Sequence, residues 1–371
     1  MTLVFTEEQN ALRSAVRKFT GDRFSSERVR ALMETPDGHD PDTWELMARQ
    51  LGLQGLLVPE ELGGSGASLV ELAIVCEELG YGLVCSPFLG TAGLATTVLL
   101  ACGDQAARRD LLPGIADGTT IATVALTEEP SAATPRGTGL TATRTAEGHV
   151  LDGVCSFVPD GHIADLVLVV AGTASGAGVF AVDRNATGLV RDRLTTLDLT
   201  RKQARLGFTA TPARLVGTPE SAGAALEDAL DTIRVLIAAE QVGGAQRCLD
   251  MSVEYARTRC QFGRTIGSFQ AVKHRCADML VAVESARSAV HHAMETAADR
   301  SDALRLAAPM AVTLASEAYQ YCARQNIQLH GGIGCTWEHD AHLHYRRAHT
   351  GAVLIGDGRH HRTLLATRLG M

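Results

Sequence analysis

No apolar run in this 371-residue sequence reaches ~18 residues without charge or strong polarity, so no membrane-spanning helix is read. No CxxC pair occurs among the nine cysteines, and their number is odd, which argues against a disulfide framework and a structural zinc site. The start, MTLVFTEEQNALRSAVRKF, has no basic stretch leading into an apolar one, so no signal peptide is read, and a reduced, cytoplasmic setting is expected. Positive charge is in short supply: 34 Lys plus Arg against 42 Asp plus Glu give a formal net charge of −8. That excludes the broad basic surface of a nucleic-acid or anionic-membrane binder, although a local arginine patch can still clamp one anion. GxGxxG, GxxxxGK[ST] and GxSxG are all missing, which removes the usual support for dinucleotide, P-loop and α/β-hydrolase readings.

What is present is enough apolar residue, 46%, against 20% charge, to bury a large core. The length suggests two or three domains of ~100–200 residues each. Three segments differ in period. Residues 1–117 read as helical. Thr6–Gln9 has the form of a helix start, and Leu12, Val16 and Phe19 form an apolar stripe behind it. A second helical pattern runs through Leu69, Leu72, Ala73, Cys76 and Leu79, with Gly80 as its expected stop and the turn-rich PEELGGSG (59–66) before it. Residues 118–220 read as short strands: Thr141 to Thr145, Val150 to Val158, Ala164 to Val170 and Gly178 to Val182. With no room for crossover helices, an antiparallel barrel or sandwich is expected. Residues 221–371 return to helical period. Leu226, Leu230, Ile233, Ile237 and Glu240 share a stripe, and long stretches at about 270–298 and 302–329 follow, as in an antiparallel bundle.

Chemistry concentrates in three places. QFGRTIGSFQ (261–270), preceded by Arg257 and Arg259, combines tight backbone, an aromatic face at Phe262 and a guanidinium suited to phosphate; a plain helix–helix turn with solvated arginines is the rival. QLHGGIGCTWEHDAHLHYRRAH (328–349) exposes the backbone of Gly331, Gly332 and Gly334 after a helix, a candidate anion cradle; metal binding by His330, His339, His342, His344 and His349 is a rival, and ordinary polar or packed histidines are the expected reading of that cluster. Its crowded histidines lack HExxH and HxxEH, and His342 and His344 point different ways on a helix. In the tail LIGDGRHHRTLL (354–365), Asp357 can pair with His361, and His360 and His361 can act with it as an acid–base set; a solvated turn is the alternative.

At these motifs the sequence resembles the acyl-CoA dehydrogenase family over nearly its whole length. YARTRCQFGRTIGSFQAVKH (255–274) resembles the family's YAxxRxQFGxxIxxFQ. IQLHGGIGCTWEHDAHLHYRRA (327–348) resembles QxxGGxGYxxExxxxRxxRD. VPEELGGSG (58–66) and ALTEEP (125–130) fall at the expected earlier places. The resemblance implies an α+β multidomain fold with an N-terminal helical domain, a middle antiparallel β domain and a C-terminal four-helix bundle. It implies FAD as cofactor and an acyl-CoA substrate oxidised to the 2-enoyl-CoA, with a carboxylate taking the α proton and flavin the β hydride. It also implies that the electrons pass on to an electron-transferring flavoprotein.

Carried over residue by residue, the resemblance gives an uneven result. In the family the neighbouring subunit holds the FAD diphosphate and adenine, and the residues that do so match Arg259, Phe262, Gln328, Gly331 and Gly332. The family's TEPxAGSD becomes Thr127-Glu-Glu-Pro-Ser-Ala-Ala-Thr134, with Thr127 kept. Its K-x-W-I-T stretch becomes Cys155-Ser-Phe157-Val-Pro159, where Phe157 can stack in place of Trp but Pro159 has neither hydroxyl nor N–H. The catalytic Glu falls at Gly356, or in some relatives at Ile233. Neither is a carboxylate; Asp357 and Asp231 are the nearest ones. The expectation is the subunit without a catalytic base in an α2β2 complex, like the heteromeric members of actinobacterial steroid side-chain breakdown, paired with a second acyl-CoA dehydrogenase-like subunit that carries the Glu. The alternatives are a self-sufficient homo-oligomer with a displaced base such as Asp357, a different flavin chemistry on the scaffold, and a non-enzymatic scaffold protein.

Overall fold

The computed structural model describes residues 5–126, 139–299 and 301–371. The N-terminal segment is helical: α1 (Glu7–Arg23), α2 (Ser26–Glu34), α3 (Pro41–Arg49), α4 (Leu69–Tyr81), α5 (Thr96–Ala101) and α6 (Gln105–Ala116). The expected start of α1 is a full capping box, with the Gln9 amide N–H donating to Thr6 Oγ1 at 3.2 Å and the Thr6 N–H to Gln9 Oε1 at 3.0 Å. Gly80 is not the stop: α4 runs to Tyr81 and is capped at Gly82. Gly80 instead lets α4 touch the next long helix, where a Cβ would lie 2.0 Å from the Glu240 carbonyl oxygen.

The strands are β1 (Ala122–Ala125), β2 (Thr141–Thr145), β3 (Gly148–Pro159), β4 (Leu166–Thr173), β5 (Gly176–Asp183), β6 (Leu189–Arg193) and β7 (Gln203–Val216). Pairings β4–β5, β5–β7, β7–β3 and β3–β2 are antiparallel, and β2 returns to β4 at Thr141 and Gly172, so five strands close on themselves. The expectation of a purely antiparallel domain needs correcting. β1 pairs parallel with β4, and so does β2 at its one bridge. No helical crossover is needed, because the β2–β3 hairpin lies on the path from β1 to β4. Leu151, Val167, Val169, Phe180 and Leu206 fill the interior.

The third segment holds α7 (Pro219–Thr258), a short hairpin of β8 (Cys260–Gln261) and β9 (Arg264–Thr265), then α8 (Gln270–Ala298), α9 (Leu304–His330), α10 (Ala341–Gly351) and α11 (Gly358–Arg368). α7 and α9 run side by side in the same direction, tied by Ser316 to Gln241 at 2.8 Å and Ser252 to Asn326 at 3.0 Å. Three long helices make the bundle, and the two short ones pack on α9 in the place of a fourth. Small residues on α7 are sites of close packing. A Cβ on Gly243 would lie 1.8 Å from the Glu77 carbonyl oxygen, and one on Gly244 2.3 Å from the Tyr319 ring.

Candidate functional site

The C-terminal ends of α7 and α9 meet. Tyr255 stacks on His330 at 4.3 Å, and His330 lies 4.1 Å from His339. This brings the 257–263 and 328–332 segments to one end of the bundle. Arg259 is held through its backbone, its N–H donating to Tyr255 O at 2.9 Å and its carbonyl accepting from Ile266 at 2.8 Å. Its guanidinium is exposed, with no hydrogen bond or ion pair among the described residues. Phe262 and Gly263 both have positive φ, 54° and 77°, the two-residue turn that joins tightly paired antiparallel strands. The turn throws the Phe262 ring outward, 90% exposed and edge-on to Phe269 at 6.1 Å. Gln328, Gly331 and Gly332 are also exposed. Gly331 ends α9 at φ 65° and ψ −141°, a conformation that needs glycine, and a Cβ on either glycine would meet nothing within 4 Å. The result is a bare glycine turn at the same end of the bundle as a cation that is unpaired among the described residues.

The positions expected for a base are closed. Ile233 is fully buried in the helical core. Gly356 has φ 116°, and a Cβ there would sit 2.5 Å from Cδ2 and 3.3 Å from Nε2 of His360, so the imidazole occupies the room a side chain would need. Ile355 before it is buried. Asp357 caps α11, accepting from the His360 N–H at 2.7 Å. Asp231 is buried between Arg234 at 2.7 Å and Arg368 at 2.8 and 2.9 Å. Burial pushes its carboxyl up, against the two guanidiniums that favour its charge. Burial, and after it Arg234, hold His360 below its ordinary value and His361 down to about 3. His360 Nε2, His361 Nδ1 and Arg234 Nε are buried without a hydrogen-bond partner among the described residues.

In the β domain, Phe157 sits in a bulge of β3 between Cys155 and Val158, at φ 60° and 42% exposed. Pro159 is buried and its carbonyl accepts from Thr123 Oγ1 at 2.6 Å. Thr127 and the rest of TEEPSAAT lie outside the described residues. Among the described residues no hydrogen bond or ring contact joins Phe157 to the cradle.

One constellation was not anticipated. Arg347 donates to Glu240 at 2.8 Å and to Thr200 at 2.6 and 3.0 Å, and pairs with Asp198 at 2.9 Å; Arg201 donates to the same Glu240. All are buried, where the N-terminal helices, the β domain and the bundle meet. Against burial, Arg201 and Arg347 hold the Glu240 carboxyl below its ordinary value. The signal was in the sequence: the family pattern ends in Arg-Asp, and this chain has Arg346-Arg347.

Comparison with known proteins agrees with this architecture. Residues 6–119 match the family model described as acyl-CoA dehydrogenase, N-terminal domain, and residues 223–370 that described as acyl-CoA dehydrogenase, C-terminal domain. Acyl-CoA dehydrogenase IpdE2 of Mycolicibacterium smegmatis is 38% identical over 355 residues, 95% of this chain and 96% of that one. A solved structure of a Tcur3481-Tcur3483 steroid ACAD variant superposes with a TM-score of 0.89 at 32% identity, covering 98% of each chain. The ChsE4-ChsE5 complex from Mycobacterium tuberculosis gives 0.91 at 29% identity, covering 100% of this chain and 99% of that one. Fold, signatures and relatives together establish that the chain belongs to the FAD-dependent acyl-CoA dehydrogenase family.

Proposed function

We propose that this chain is the subunit without a catalytic base in a heteromeric acyl-CoA dehydrogenase, an α2β2 assembly that forms a 2,3-enoyl-CoA from a steroid side-chain acyl-CoA. The observation that carries the reading is the state of the base position. Gly356 cannot be replaced by a carboxylate without expelling His360 and leaving a φ of 116°, and Asp231 and Asp357 are already engaged. The names of the Tcur3481-Tcur3483 steroid ACAD and the ChsE4-ChsE5 complex support a steroid substrate and a pairing of unlike chains.

The open end of the bundle fits the diphosphate of FAD: a guanidinium without a partner among the described residues, two glycines with free space above them, and an exposed ring at Phe262. Arg259 would neutralise the diphosphate, the backbone at Gly331 and Gly332 would approach it closely, and Gln328 and Phe262 would flank it. FAD supplies the hydride acceptor of the reaction. The partner subunit would supply the Glu that takes the α proton, and an electron-transferring flavoprotein would take the electrons. In the chain's own half Phe157 offers a ring face, but Pro159 offers no donor.

The test is FAD per chain, measured on the protein purified alone and after co-expression with a neighbouring acyl-CoA dehydrogenase-like gene. Little flavin alone and one FAD per unlike pair is the expected result. One FAD per chain and full turnover in the isolated protein would overturn the reading. One observation favours that self-sufficient alternative: His360 Nε2, buried and without a partner among the described residues, would accept a proton in the Nδ1–H tautomer, next to the position where the family has a carboxylate. Burial and Arg234 weaken it as a base, so the two-subunit reading stands first.

A further inference from the structure

Arg247 lacks the partner that its burial calls for. Every other buried or half-buried arginine among the described residues meets a carboxylate or a carbonyl, as Arg287 meets Glu77 at 3.0 Å and Arg346 meets Leu197 O at 3.1 Å. Arg247, half-buried near the end of α7, meets neither among the described residues. Its neighbours are the Tyr81 ring, centred 5.4 Å from the guanidinium carbon, and the Tyr81 hydroxyl, which itself donates to Asp250 at 2.9 Å. The guanidinium lines a cavity of about 260 Å³ where α1, α2, the end of α4, α7 and α10 meet. Phe24, Val29, Leu83 and Met251, all buried, give that cavity apolar walls. Its other charged groups are already engaged. Arg17 lies 3.9 Å over the Tyr81 ring and donates to Glu78 at 3.0 Å, and Asp340 accepts from Ser26 at 2.7 Å and from Arg30 at 2.6 Å. His344 lines the cavity with its Nδ1 2.9 Å from the Tyr319 hydroxyl, which leaves Nε2 as its free nitrogen among the described residues. Burial, and after it Arg247, hold this histidine down to about 3, so the ring is neutral. A neighbouring cavity of about 320 Å³ shares Arg247 and Asp340 but adds Glu254 and Glu338, which would repel an anion.

We propose that the first cavity binds a small organic anion, a carboxylate on an apolar body, with its charge on Arg247 and its body against Phe24, Val29, Leu83 and Met251. A guanidinium presents two parallel N–H donors that match the two oxygens of a carboxylate. With Tyr319 donating to Nδ1, His344 carries its proton on Nε2 and offers a neutral donor to the same group. The volume lies below the ~300–1,000 Å³ of drug-sized pockets, so the body is limited to about one ring. Inorganic phosphate is the poorer occupant, because it leaves the apolar walls wet, and a cation is repelled by Arg247. The walls belong to the N-terminal helices on one side and to the bundle on the other, so a bound anion would tie the two and stabilise the folded chain by mass action. None of this depends on the two-subunit reading.

The experiment titrates the full chain with benzoate, benzamide and inorganic phosphate, reading binding by calorimetry and the melting temperature. It uses the wild type, Arg247→Gln and Gly21→Leu. Gly21 lines the cavity from α1, and a Cβ there would meet nothing within 4 Å, so a leucine can take up the space without displacing a neighbour and suits the helix better than glycine. Benzoate is expected to bind the wild type and raise its melting temperature, with benzamide and phosphate about tenfold weaker or more. Arg247→Gln should weaken benzoate about tenfold or more, and Gly21→Leu should abolish its binding. No benzoate binding by the wild type would mean that water alone fills the cavity, and would overturn the proposal. Benzamide or phosphate bound as tightly as benzoate would overturn it too, as would equal benzoate binding by the wild type and Arg247→Gln. Should Arg247→Gln melt far below the wild type, Gly21→Leu decides: loss of benzoate binding upholds the site, and undiminished binding overturns it.

Discussion

One helix passes through two regions built on opposite principles. Near its middle, α7 carries Asp231, Ile233 and Arg234, and at its end Arg257 and the approach to Arg259. Around Asp231 the space is taken, although three buried nitrogens of Arg234, His360 and His361 have no partner among the described residues: two guanidiniums hold the carboxylate, Ile233 is sealed in the core, and His360 lies where a side chain on Gly356 would go. At the far end Arg259 is unpaired among the described residues, Phe262 faces solvent, and Gly331 and Gly332 stand clear of neighbours. The first region is knit together by its own contacts. The second has residues with little structural work to do, which is the mark of a surface kept for something outside the chain.

The sharpest way to break this contrast is Asp231→Ala. It would leave the buried Arg234 without its carboxylate and take from the half-buried Arg368 its nearest one, and removal of one member of a buried pair costs about 3–5 kcal/mol. Urea denaturation measures it; a loss below about 1 kcal/mol would mean that the region is not held by this network. Gly356→Glu comes next. Its strained φ and its collision with His360 should cost about 1–3 kcal/mol, and the isolated chain should remain inactive. Turnover restored by that one substitution would show the base position to be merely vacant.

Acid probes the same filled region more gently. His361 is buried and neutral, its pKa pushed down to about 3 by burial, then by Arg234 and His360. In the unfolded chain it titrates near the ordinary value of about 6.5. The unfolded state therefore takes up a proton that the folded state refuses, so this stability is complete above about pH 6.5 and is lost as pH falls below it. For His361 the loss between pH 7 and pH 5 is about 2 kcal/mol. His361→Asn should lose about that much less than the wild type over the same interval. Parallel pH profiles for the two proteins would place His361 in contact with solvent.

The sequence made the architecture legible because period and composition change sharply twice. The edges of α8 and α9 fall within a few residues of the apolar stretches at 270–298 and 302–329. That Arg259, Phe262, Gly331 and Gly332 come to one exposed end was legible because they are local, three positions apart in Arg259–Phe262 and adjacent in Gly331–Gly332. What stayed hidden depends on tertiary approach. Gly80 reads as a helix stop, and only the crossing of α4 with α7 shows that it makes room for the Glu240 carbonyl. Asp231 reads as a spare carboxylate until Arg368, far along the chain, is found on it. The parallel β1–β4 pair could not be foreseen, because a hairpin took the place of the helix that such a pair usually needs.

The smallest effect on stability belongs to Arg259→Ala, and it is the most informative. With no side-chain hydrogen bond or ion pair among the described residues, the exposed guanidinium should change the unfolding free energy by no more than about 0.5 kcal/mol. A charge-assisted hydrogen bond to a phosphate is worth about 1.5–3 kcal/mol, so flavin retention by the complex with the unlike subunit should fall about tenfold or more. The isolated chain, expected to hold little flavin, should show no change. That pattern separates a residue kept for a partner's cofactor from one kept for this chain's own fold. Unchanged flavin in the complex would remove Arg259 from the cradle, and a large loss of stability would move it to the structural side of the contrast.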